Sequence, residues 1–352
     1  MIVPYPLTNQ TYGKKLRELI MKNYTLFELC DLNGTKIFDN ATVSNCIPFI
    51  YKDESVTDNK TIISHIHENK QISHDFCKGV SELMPDAKTA VWNVEKETRS
   101  NMRHSKMYVL GDYCYISVGM VLNADEKTAK GEFTKEDLIS LIQDDIHCRE
   151  YIEAKDIDKY AVKRVRYLEY NTDRCPDKLR RPTFRELYER KKIVMNCLGC
   201  INSALDISHN YLHNHSIYCA ILWHDLHGVN NKSIAASVKR YSKLQRNEME
   251  ELSKDVDLRF LLGIMNSRYA DVLLTNLRGG DYHIYPEHIR NIPIPTVNKE
   301  EQLPIIELVN SILAAKRENP TADTIEQERE IDKIVYQLYG LTDDEIKIIE
   351  QQ

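Results

Sequence analysis

The sequence predicts an α+β protein. It should begin with part of an α/β sheet, continue as a mostly β region with inserted helices, and end in a helical C-terminus. Three observations support this prediction: β-rich runs follow an N-terminal helical pattern, the middle alternates short strands with long polar connections, and the C-terminal residues carry helical stripes of apolar side chains. The predicted divisions are residues 1–104, 105–298 and 299–352.

The size and composition are those of an ordinary globular protein. The chain has 352 residues, 42% hydrophobic and 28% charged, and chains of this length commonly hold two or three domains. No apolar run approaches the roughly 20 residues of a membrane span, and nine cysteines, an odd count, favour free thiols in the cytoplasm. The net charge of −6 restricts any nucleic-acid contact to a local basic patch.

The first predicted helix covers residues 9–23. Asn9 can cap it, and one face carries the apolar residues Tyr12, Leu16, Leu19 and Ile20. The strands predicted after it are residues 25–32, 43–51 and 61–67, with a turn at Gly34 between the first two. This half-sheet should leave an apolar edge exposed, so we expect either a partner chain there or poor solubility of the chain alone.

The middle region should consist of short strands and helices. The predicted strands are residues 107–117, 159–170, 192–198 and 216–223. The predicted helices are residues 134–143, 183–189 and 258–269, of which the last is apolar nearly all round and should be buried. The Ile-Pro-Ile-Pro sequence at 292–295 should form an extended hinge, because each proline disfavours helical backbone in the residue before it.

The C-terminal part should be helical. One apolar stripe contains Ile305, Leu308, Val309, Ile312 and Leu313, and another contains Ile331, Ile334, Val335 and Leu338. Pro304 is tolerated only in the first turn of its helix. Gly340 should end the second helix, and Thr342 with Glu345 should form a capping box for a third.

Familiar catalytic motifs are absent from the sequence, which lacks a P-loop, a Gly-x-Gly-x-x-Gly fingerprint, the kinase motifs and a nucleophile elbow. Four residues have a spacing that can satisfy tetrahedral zinc: Cys197, Cys200, His213 and Cys219. The favoured interpretation is that Cys197 ends a buried strand, where a free cysteine is an ordinary small apolar residue. Zinc binding by these four residues stays open.

A metal-dependent nuclease is an alternative function. Asp177, Glu189 and Lys191 follow the pattern of two acids and a lysine with which nucleases hold a divalent ion and activate water. The second acid and the lysine should lie on a strand in such a site, whereas Glu189 closes a predicted helix. The pattern is also short enough to arise by chance.

Two further segments carry groups suited to nucleic-acid contact. One is a basic run containing Lys178, Arg180, Arg181, Arg185, Arg190, Lys191 and Lys192. It is a plausible phosphate-contacting surface, and a solvated helix face is an equally good interpretation. The other is the turn Arg278-Gly279-Gly280-Asp281-Tyr282-His283, whose side chains could read or stack on bases, unless it is a plain hairpin loop.

Seven short segments are similar, in the same order, to parts of a known family. They are YGKKLR (12–17), KIFDNATV (36–43), LGD (110–112) with SVGM (117–120), FRELYERKKIV (184–194), LLGIMNS (261–267), IPIP (292–295) and DKIVYQLYGL (332–341). Together they resemble the C-terminal, target-recognition part of Taq-type adenine-specific DNA methyltransferases and the related type IIG restriction–modification enzymes.

This resemblance implies that DNA recognition and catalysis lie in different parts of the enzyme. The family transfers a methyl group from S-adenosylmethionine to an adenine turned out of the duplex. Its Asn/Asp-Pro-Pro-Tyr/Phe loop and its S-adenosylmethionine loop do not occur in this sequence, and in the family's order both would precede residue 1. The resemblance therefore implies a methyltransferase remnant at 1–104, on which a catalytic chain docks, and a target-recognition domain at 105–298 that binds double-stranded DNA. A remnant of a truncated gene is a further alternative.

The expected contact residues follow from charge and loop chemistry, since the resemblance assigns none of them. For DNA phosphates we expect Arg180, Arg181, Arg190, Lys191 and Lys192. For contacts near the bases we expect Arg278, Tyr282 and His283. No catalytic, cofactor-binding or metal-binding residue is assigned, and whether this chain has an enzymatic activity of its own is left open.

Overall fold

The structure, a computed structural model, describes residues 1–32, 45–52, 60–66, 71–85, 87–88, 90–94, 107–278 and 283–351. The chain divides into two compact units. The first holds Met1–Arg99 and Thr275–His283, and the second holds Ser100–Leu274 and Ile284–Gln352. Most of the predicted recognition domain and the predicted C-terminal helices therefore belong to the same unit.

A mixed five-stranded sheet forms most of the first unit. Across the sheet its strands are Val3–Pro4, Asn45–Tyr51, Thr25–Asp31, Lys60–Ile66 and Ile72–Gly79. The central two, Thr25–Asp31 and Lys60–Ile66, are parallel, and the other pairs are antiparallel. The helices are Lys14–Asn23 and Val80–Leu83, with 3₁₀ turns at Tyr5–Leu7 and Thr11–Gly13. The sequence does not predict Ile72–Gly79, and the predicted turn at Gly34 lies outside the described residues.

The N-terminal helix is shorter than predicted and faces the sheet with a different side. It covers Lys14–Asn23 and follows the 3₁₀ turn, so Asn9 does not cap it. Of the predicted apolar face, Ile20 is buried. The other members, Tyr12, Leu16 and Leu19, are exposed.

Arg17 explains this orientation. Its side chain is fully buried, and its guanidinium donates to the carbonyl oxygens of Leu7 at 2.6 Å, Gln10 at 2.8 Å and Ala90 at 2.5 Å. Burial lowers the pKa of Arg17 to about 10. A buried charge is tolerated only when its donors are satisfied, and these three carbonyls satisfy them only if the helix turns Arg17 inward.

Large apolar side chains are exposed on two strands of the first unit. They are Phe27, Phe49 and Tyr51, with exposed fractions between 41% and 46%; they form the apolar strand patch. Ile50 is 40% exposed on the opposite face, because successive side chains of a strand alternate in direction. The rings of Phe27 and Tyr51 lie 6.3 Å apart. Thr25–Asp31 has a partner strand on both sides. The outer side of Asn45–Tyr51 pairs with Val3–Pro4 through Asn45 and Cys46 only, among the described residues, so the exposed apolar edge of the half-sheet stays a prediction. Exposed patches of this kind mark contact surfaces.

Two four-stranded sheets form the centre of the second unit. One contains Ser203–Asp206, Lys192–Asn196, Ile217–Leu222 and Cys114–Val118, all antiparallel. The other contains Leu212–His213, His147–Ile152, Arg166–Glu169 and Ile139–Ser140, and its first pair is parallel. Two-stranded sheets pair Val121–Ala124 with Leu179–Arg181, Ile157–Asp158 with Ala161–Val162, and Met107–Val109 with Pro293–Pro295.

The helices of the second unit are concentrated towards the C-terminus. They are Leu110–Tyr113, Glu186–Glu189, Lys232–Tyr241, Arg246–Ser253, Leu258–Asn266, Arg268–Arg278, Pro286–Arg290, Lys299–Glu318, Ile325–Tyr339 and Asp343–Gln351, with 3₁₀ turns at Glu136–Leu138, Ala154–Asp156 and Trp223–Leu226. The last four residues of Arg268–Arg278 belong to the first unit. Leu258–Asn266 is almost entirely buried, as predicted. Among the described residues, no helix has the length and apolar character needed to cross a membrane.

Local end signals of the C-terminal helices are confirmed. Gly340 takes a left-handed conformation, with φ 64°, directly after Ile325–Tyr339. Thr342 N–H donates to Glu345 Oε2 at 2.7 Å, and Glu345 N–H donates to Thr342 Oγ1 at 3.3 Å. The expected position of Pro304 is wrong, because Lys299–Glu318 begins earlier and places this proline in its second turn.

Four elements predicted in the middle region differ from the structure. Residues 134–143 are not a helix, because Ile139–Ser140 pairs with Arg166–Glu169 as a strand. Residues 107–117 are interrupted by the helical turn Leu110–Tyr113, and residues 159–170 divide into two short strands. Residues 292–295 are extended as predicted, but Pro293–Pro295 is a paired strand rather than a hinge.

All nine cysteines lie in the described ranges and are free thiols. Cys77 in the first unit and Cys200 in the second are exposed, and Cys148 is half-buried. The remaining six are Cys30, Cys46, Cys114, Cys175, Cys197 and Cys219, all buried. The free thiols predicted from the odd count are confirmed.

Candidate nucleic-acid interface

Arg180 and Arg181 lie on a short exposed strand of the second unit. The strand, Leu179–Arg181, pairs antiparallel with Val121–Ala124. Leu179 is buried and anchors the strand, while the two arginines are exposed. The pairing therefore fixes the backbone and leaves both guanidinium groups in contact with solvent.

Arg190 and Lys191 form a second exposed pair. They link the short helix Glu186–Glu189 to the buried strand Lys192–Asn196. The helix buries Leu187 and Tyr188, and the strand runs into the core. Since both flanking elements are anchored, this link is held at the surface.

These four cations have no ion pair with any described residue. Within the described ranges, no carboxylate oxygen lies within 4.0 Å of their charged nitrogens. They are Arg180, Arg181, Arg190 and Lys191, and they form the free basic cluster. Unpaired exposed cations of this kind are available to DNA phosphates.

Two other members of the basic run are already paired with carboxylates. Lys178 Nζ lies 2.9 Å from Glu132 Oε2, and Arg185 Nε lies 2.7 Å from Glu189 Oε1. Both pairs are at the surface, where such interactions are weak, but they reduce the net positive charge of the run. The structure thus divides the run into paired and unpaired cations, which the sequence alone does not.

Lys192 is the exception among the expected phosphate contacts, and that expectation is wrong. Its side chain is fully buried, with Nζ 2.6 Å from Asp206 Oδ2. The same ammonium donates to the carbonyl oxygen of Tyr188 at 2.6 Å. The basic run therefore ends where the chain enters the core, and Lys192 has a structural partner instead of a surface position.

Asp206 in turn organises a loop. Its carboxylate accepts the backbone N–H groups of His209 and Asn210 at 3.1 Å each and of Tyr211 at 2.8 Å. The buried pair of Lys192 and Asp206 therefore connects the strand that follows the free basic cluster to the loop after Ser203–Asp206.

A cavity of about 320 Å³ in the second unit collects three arginines from separate segments. They are Arg181 of the free basic cluster, Arg240 in the last turn of Lys232–Tyr241, and Arg290 at the end of Pro286–Arg290. Together with the rest of the lining, they form the arginine cavity. Sequence patterns do not reveal Arg240 and Arg290, because neither belongs to a run of basic residues.

Arg290 is held rigidly at this cavity. Its guanidinium carbon lies 4.3 Å from the ring centre of Tyr241, and its Nη2 donates to the carbonyl oxygen of Ile116 at 2.7 Å. Burial lowers the pKa of Arg290, while the charge of Glu287 raises it. Glu287 itself accepts a hydrogen bond from the Tyr241 hydroxyl at 3.1 Å.

The residues expected near the bases belong to the other unit. Arg278 is the last residue of Arg268–Arg278 and is half-buried, and His283 is exposed. Both are assigned to the first unit, whereas the free basic cluster is in the second. Tyr282 lies outside the described residues. Their contacts with bases stay a prediction.

The nuclease alternative gains no support from the described residues. Glu189 closes a helix, and its carboxylate is engaged by Arg185. In the ranges that the structure describes, no group of three or more His, Cys, Asp or Glu side chains could hold a metal ion.

The four residues with zinc-like spacing are likewise not gathered into such a group. Cys197 lies directly after the strand Lys192–Asn196 and is buried. Cys219 is buried and donates to the carbonyl oxygen of Ser117 at 3.6 Å, and Cys200 is exposed. His213 is fully buried, and burial together with the charge of Lys192 lowers its pKa to about 3. The imidazole is therefore neutral at pH 7 as a core residue.

The fold described here is similar to that of restriction–modification enzymes. A structure of the Type IIL restriction–modification enzyme MmeI in complex with DNA matches 100% of this chain, with a TM-score of 0.54 and 9% identity, and this chain spans 49% of that one. The chain thus covers about half the length of this neighbour. At this identity the likeness is one of fold.

Two further structural neighbours have lower scores. A nuclease-deletion mutant of the Type ISP enzyme LlaGI, in complex with a DNA substrate mimic, matches 89% of this chain and 34% of its own, with a TM-score of 0.44 and 10% identity. The HsdS subunit from Thermoanaerobacter tengcongensis matches 67% of this chain and 45% of its own, with a TM-score of 0.30 and 12% identity. No protein-family model and no curated protein matches the sequence.

Proposed function

We propose that this chain is the DNA-recognition module of a bacterial or archaeal restriction–modification adenine methyltransferase. In this proposal it holds double-stranded DNA in register, while a catalytic part outside these 352 residues transfers a methyl group from S-adenosylmethionine to adenine. Two findings support this proposal: the sequence resembles the target-recognition part of such enzymes, and the fold is similar to that of a restriction–modification enzyme.

The free basic cluster is the observation that carries the proposal. The protein has a net charge of −6, so nonspecific attraction of the whole molecule to DNA is unfavourable. Four exposed cations nevertheless lie close together in the sequence on anchored backbone. Among the described residues, no carboxylate oxygen lies within 4.0 Å of their charged nitrogens, and Asp257 acts on Lys191 only from a greater distance. Cations held in this way position a DNA backbone, and other contacts supply sequence information.

Neutralising the free basic cluster should abolish most of the DNA affinity. The variant carries Arg180→Gln, Arg181→Gln, Arg190→Gln and Lys191→Gln. Each lost phosphate contact lowers the slope of log affinity against log salt by about 0.9, so we expect the slope to fall by roughly three to four and the affinity at low salt to fall about 100-fold or more. Fluorescence anisotropy with a labelled duplex over a salt series measures both.

A matched control changes the net charge equally. It carries Lys299→Gln, Arg317→Gln, Lys333→Gln and Lys347→Gln, all exposed positions on C-terminal helices. We expect the control variant to show the same slope of log affinity against log salt as the unchanged protein. Equal losses in the two variants would reduce the effect to net charge, and no measurable affinity at low salt, even with the catalytic partner present, would contradict the proposed function.

The catalytic part is proposed to dock on the first unit as a separate methyltransferase chain. The apolar strand patch supports this, because three large aromatic side chains exposed on neighbouring strands are unfavourable in water. The absence of the Asn/Asp-Pro-Pro-Tyr/Phe loop from the sequence also requires another source of the catalytic residues.

Polar substitutions in the apolar strand patch should prevent this docking. For Phe27→Gln with Phe49→Gln, we expect loss of co-purification with a methyltransferase chain encoded beside this one, without a change in the DNA affinity of the isolated protein. Ile142→Gln is the control, since Ile142 is an exposed apolar residue of the second unit. Unchanged co-purification, or a monodisperse isolated chain that binds no such partner, would contradict the docking proposal.

A further inference from the structure

We propose that the arginine cavity is an anion site that receives one phosphodiester group of the bound DNA. This inference rests on the proposed function, because the phosphodiester is part of the DNA that the module would hold. It adds Arg240 and Arg290 to the contact surface. The phosphate would enter a recessed site, whereas an exposed charged surface offers only a superficial contact.

The positive charge of Arg290 has no ion-pair partner among the described residues. Charged groups shielded from water are normally paired with an opposite charge. Arg290 is half-buried, and its contacts are the Tyr241 ring and the Ile116 carbonyl. No described carboxylate oxygen lies within 4.0 Å of its guanidinium, and the charge of Glu287 acts on it from a greater distance. An anion in the adjoining cavity would supply the missing ion pair.

The other charges at the cavity point to the same ligand. Arg181 and Arg240 line it as well, against a single carboxylate, that of Glu287. The carboxylate of Glu287 accepts a hydrogen bond from the Tyr241 hydroxyl. This bond weakens the repulsion between the carboxylate and an entering anion. Guanidinium groups are planar forks of N–H donors that match the oxygens of phosphate, and several of them around one site hold a phosphate better than ammonium groups do.

Hydroxyl donors complete the lining. Ser233 and Ser237 lie on the cavity side of Lys232–Tyr241, and Ser233 Oγ lies 2.8 Å from the hydroxyl oxygen of Tyr115. Serine hydroxyls rotate to donate to an acceptor such as a phosphate oxygen. The volume of about 320 Å³ is at the lower end for small-molecule pockets, which suits a phosphate group with its sugar oxygens better than a larger ligand.

Arg181 identifies DNA as the source of the phosphate. It belongs both to the free basic cluster and to the lining of the arginine cavity. A DNA backbone that lies along the cluster therefore passes the cavity without any rearrangement of the strand Leu179–Arg181. A free phosphate ion would have no use for the other members of the cluster.

The test compares neighbouring residues of one helix. Arg240→Gln removes a cation of the cavity, and Lys239→Gln removes an exposed cation next to it that does not line the cavity. We expect Arg240→Gln to weaken duplex binding about five- to ten-fold at low salt and to lower the salt slope by about one. Lys239→Gln should leave both unchanged, and Glu287→Gln should strengthen binding, because it removes the opposing charge.

A second measurement keeps the anion site separate from the proposed function. Calorimetric titration of the full chain with inorganic phosphate should show binding that Arg240→Gln and Arg290→Gln each weaken at least ten-fold, and circular dichroism checks that both variants are folded. This result together with the lowered salt slope supports the proposal. Phosphate binding without any effect of Arg240→Gln on DNA would overturn the assignment to a phosphodiester.

Two remaining outcomes are also decisive. If neither phosphate nor DNA binding responds to Arg240→Gln while the unchanged protein binds DNA, the cavity is not an anion site and the inference is overturned. If the protein binds phosphate in the cavity but no duplex under any condition, the proposed function fails while the anion site stands, and its ligand is then a free phosphate.

Discussion

Replacing Lys192 by Met should lower the free energy of unfolding by about 3–5 kcal/mol, because it leaves Asp206 as an uncompensated buried charge. Lys192 and Asp206 are both fully or almost fully buried, and their charged atoms lie 2.6 Å apart. The loop that Asp206 holds through backbone N–H groups should loosen as well. Urea unfolding followed by circular dichroism measures the loss.

The adjacent residue supplies the control. Lys191→Met removes an exposed cation of the free basic cluster, so we expect a stability change within about 0.5 kcal/mol and a several-fold weaker duplex affinity. Lys192→Met should show the reverse, with normal affinity of the folded fraction. The double variant Lys192→Met with Asp206→Asn should recover part of the stability. A stable Lys192→Met protein with weakened DNA binding would show that Lys192 is a surface contact after all.

Replacing Gly119 by Ala should destabilise the second unit by about 3 kcal/mol or more. The added Cβ would lie 2.5 Å from the carbonyl oxygen of Asn214, and closer still to the carbonyl oxygen and Nδ1 of His213. Gly119 N–H also donates to Ile217 O at 3.3 Å, and Met120 N–H donates to His213 O at 3.0 Å. The two segments therefore cannot separate to admit the methyl group without losing these hydrogen bonds.

Gly131→Ala is the matched control for this substitution. Gly131 has a φ of 77° but open space where a Cβ would lie. It should cost only the backbone strain of a left-handed alanine, about 1 kcal/mol. Urea unfolding of both variants separates steric overlap from backbone strain. Equal losses at the two positions would mean that Gly119 does not approach His213 as closely as described.

The parts of the fold that sequence patterns predict are those set by neighbouring residues. Gly340 ends its helix because the left-handed conformation is easy for glycine. The Thr342 and Glu345 capping box closes within one helical turn. The helix Leu258–Asn266 is apolar nearly all round, apart from Arg259, and its other residues are therefore buried. None of these outcomes requires knowledge of a distant partner.

The parts that sequence patterns do not predict depend on distant partners. Lys192 resembles the other members of its basic run until Asp206 is brought against it across paired strands. Arg17 has the sequence context of an exposed helix residue, but it is bound by the carbonyls of Leu7 and Gln10 and by that of the distant Ala90. The local charge pattern therefore wrongly includes Lys192 among the residues expected to contact DNA.

Sequence patterns also fail to predict two arginines of the arginine cavity, because distant segments bring them there. Arg240 and Arg290 reach the arginine cavity from two helices that are remote in the sequence from Arg181. Neither has a basic neighbourhood long enough to stand out as a run. Only the tertiary arrangement brings the three guanidinium groups to one cavity.

The cysteines provide natural attachment points for spectroscopic probes. Each unit carries one exposed thiol, Cys77 in the first and Cys200 in the second, while most of the others are buried. Maleimide spin labels or fluorophores would therefore react first at one position in each unit, without any engineered residue. Distances between the two labels, recorded before and after a duplex is added, would report whether their separation changes on binding.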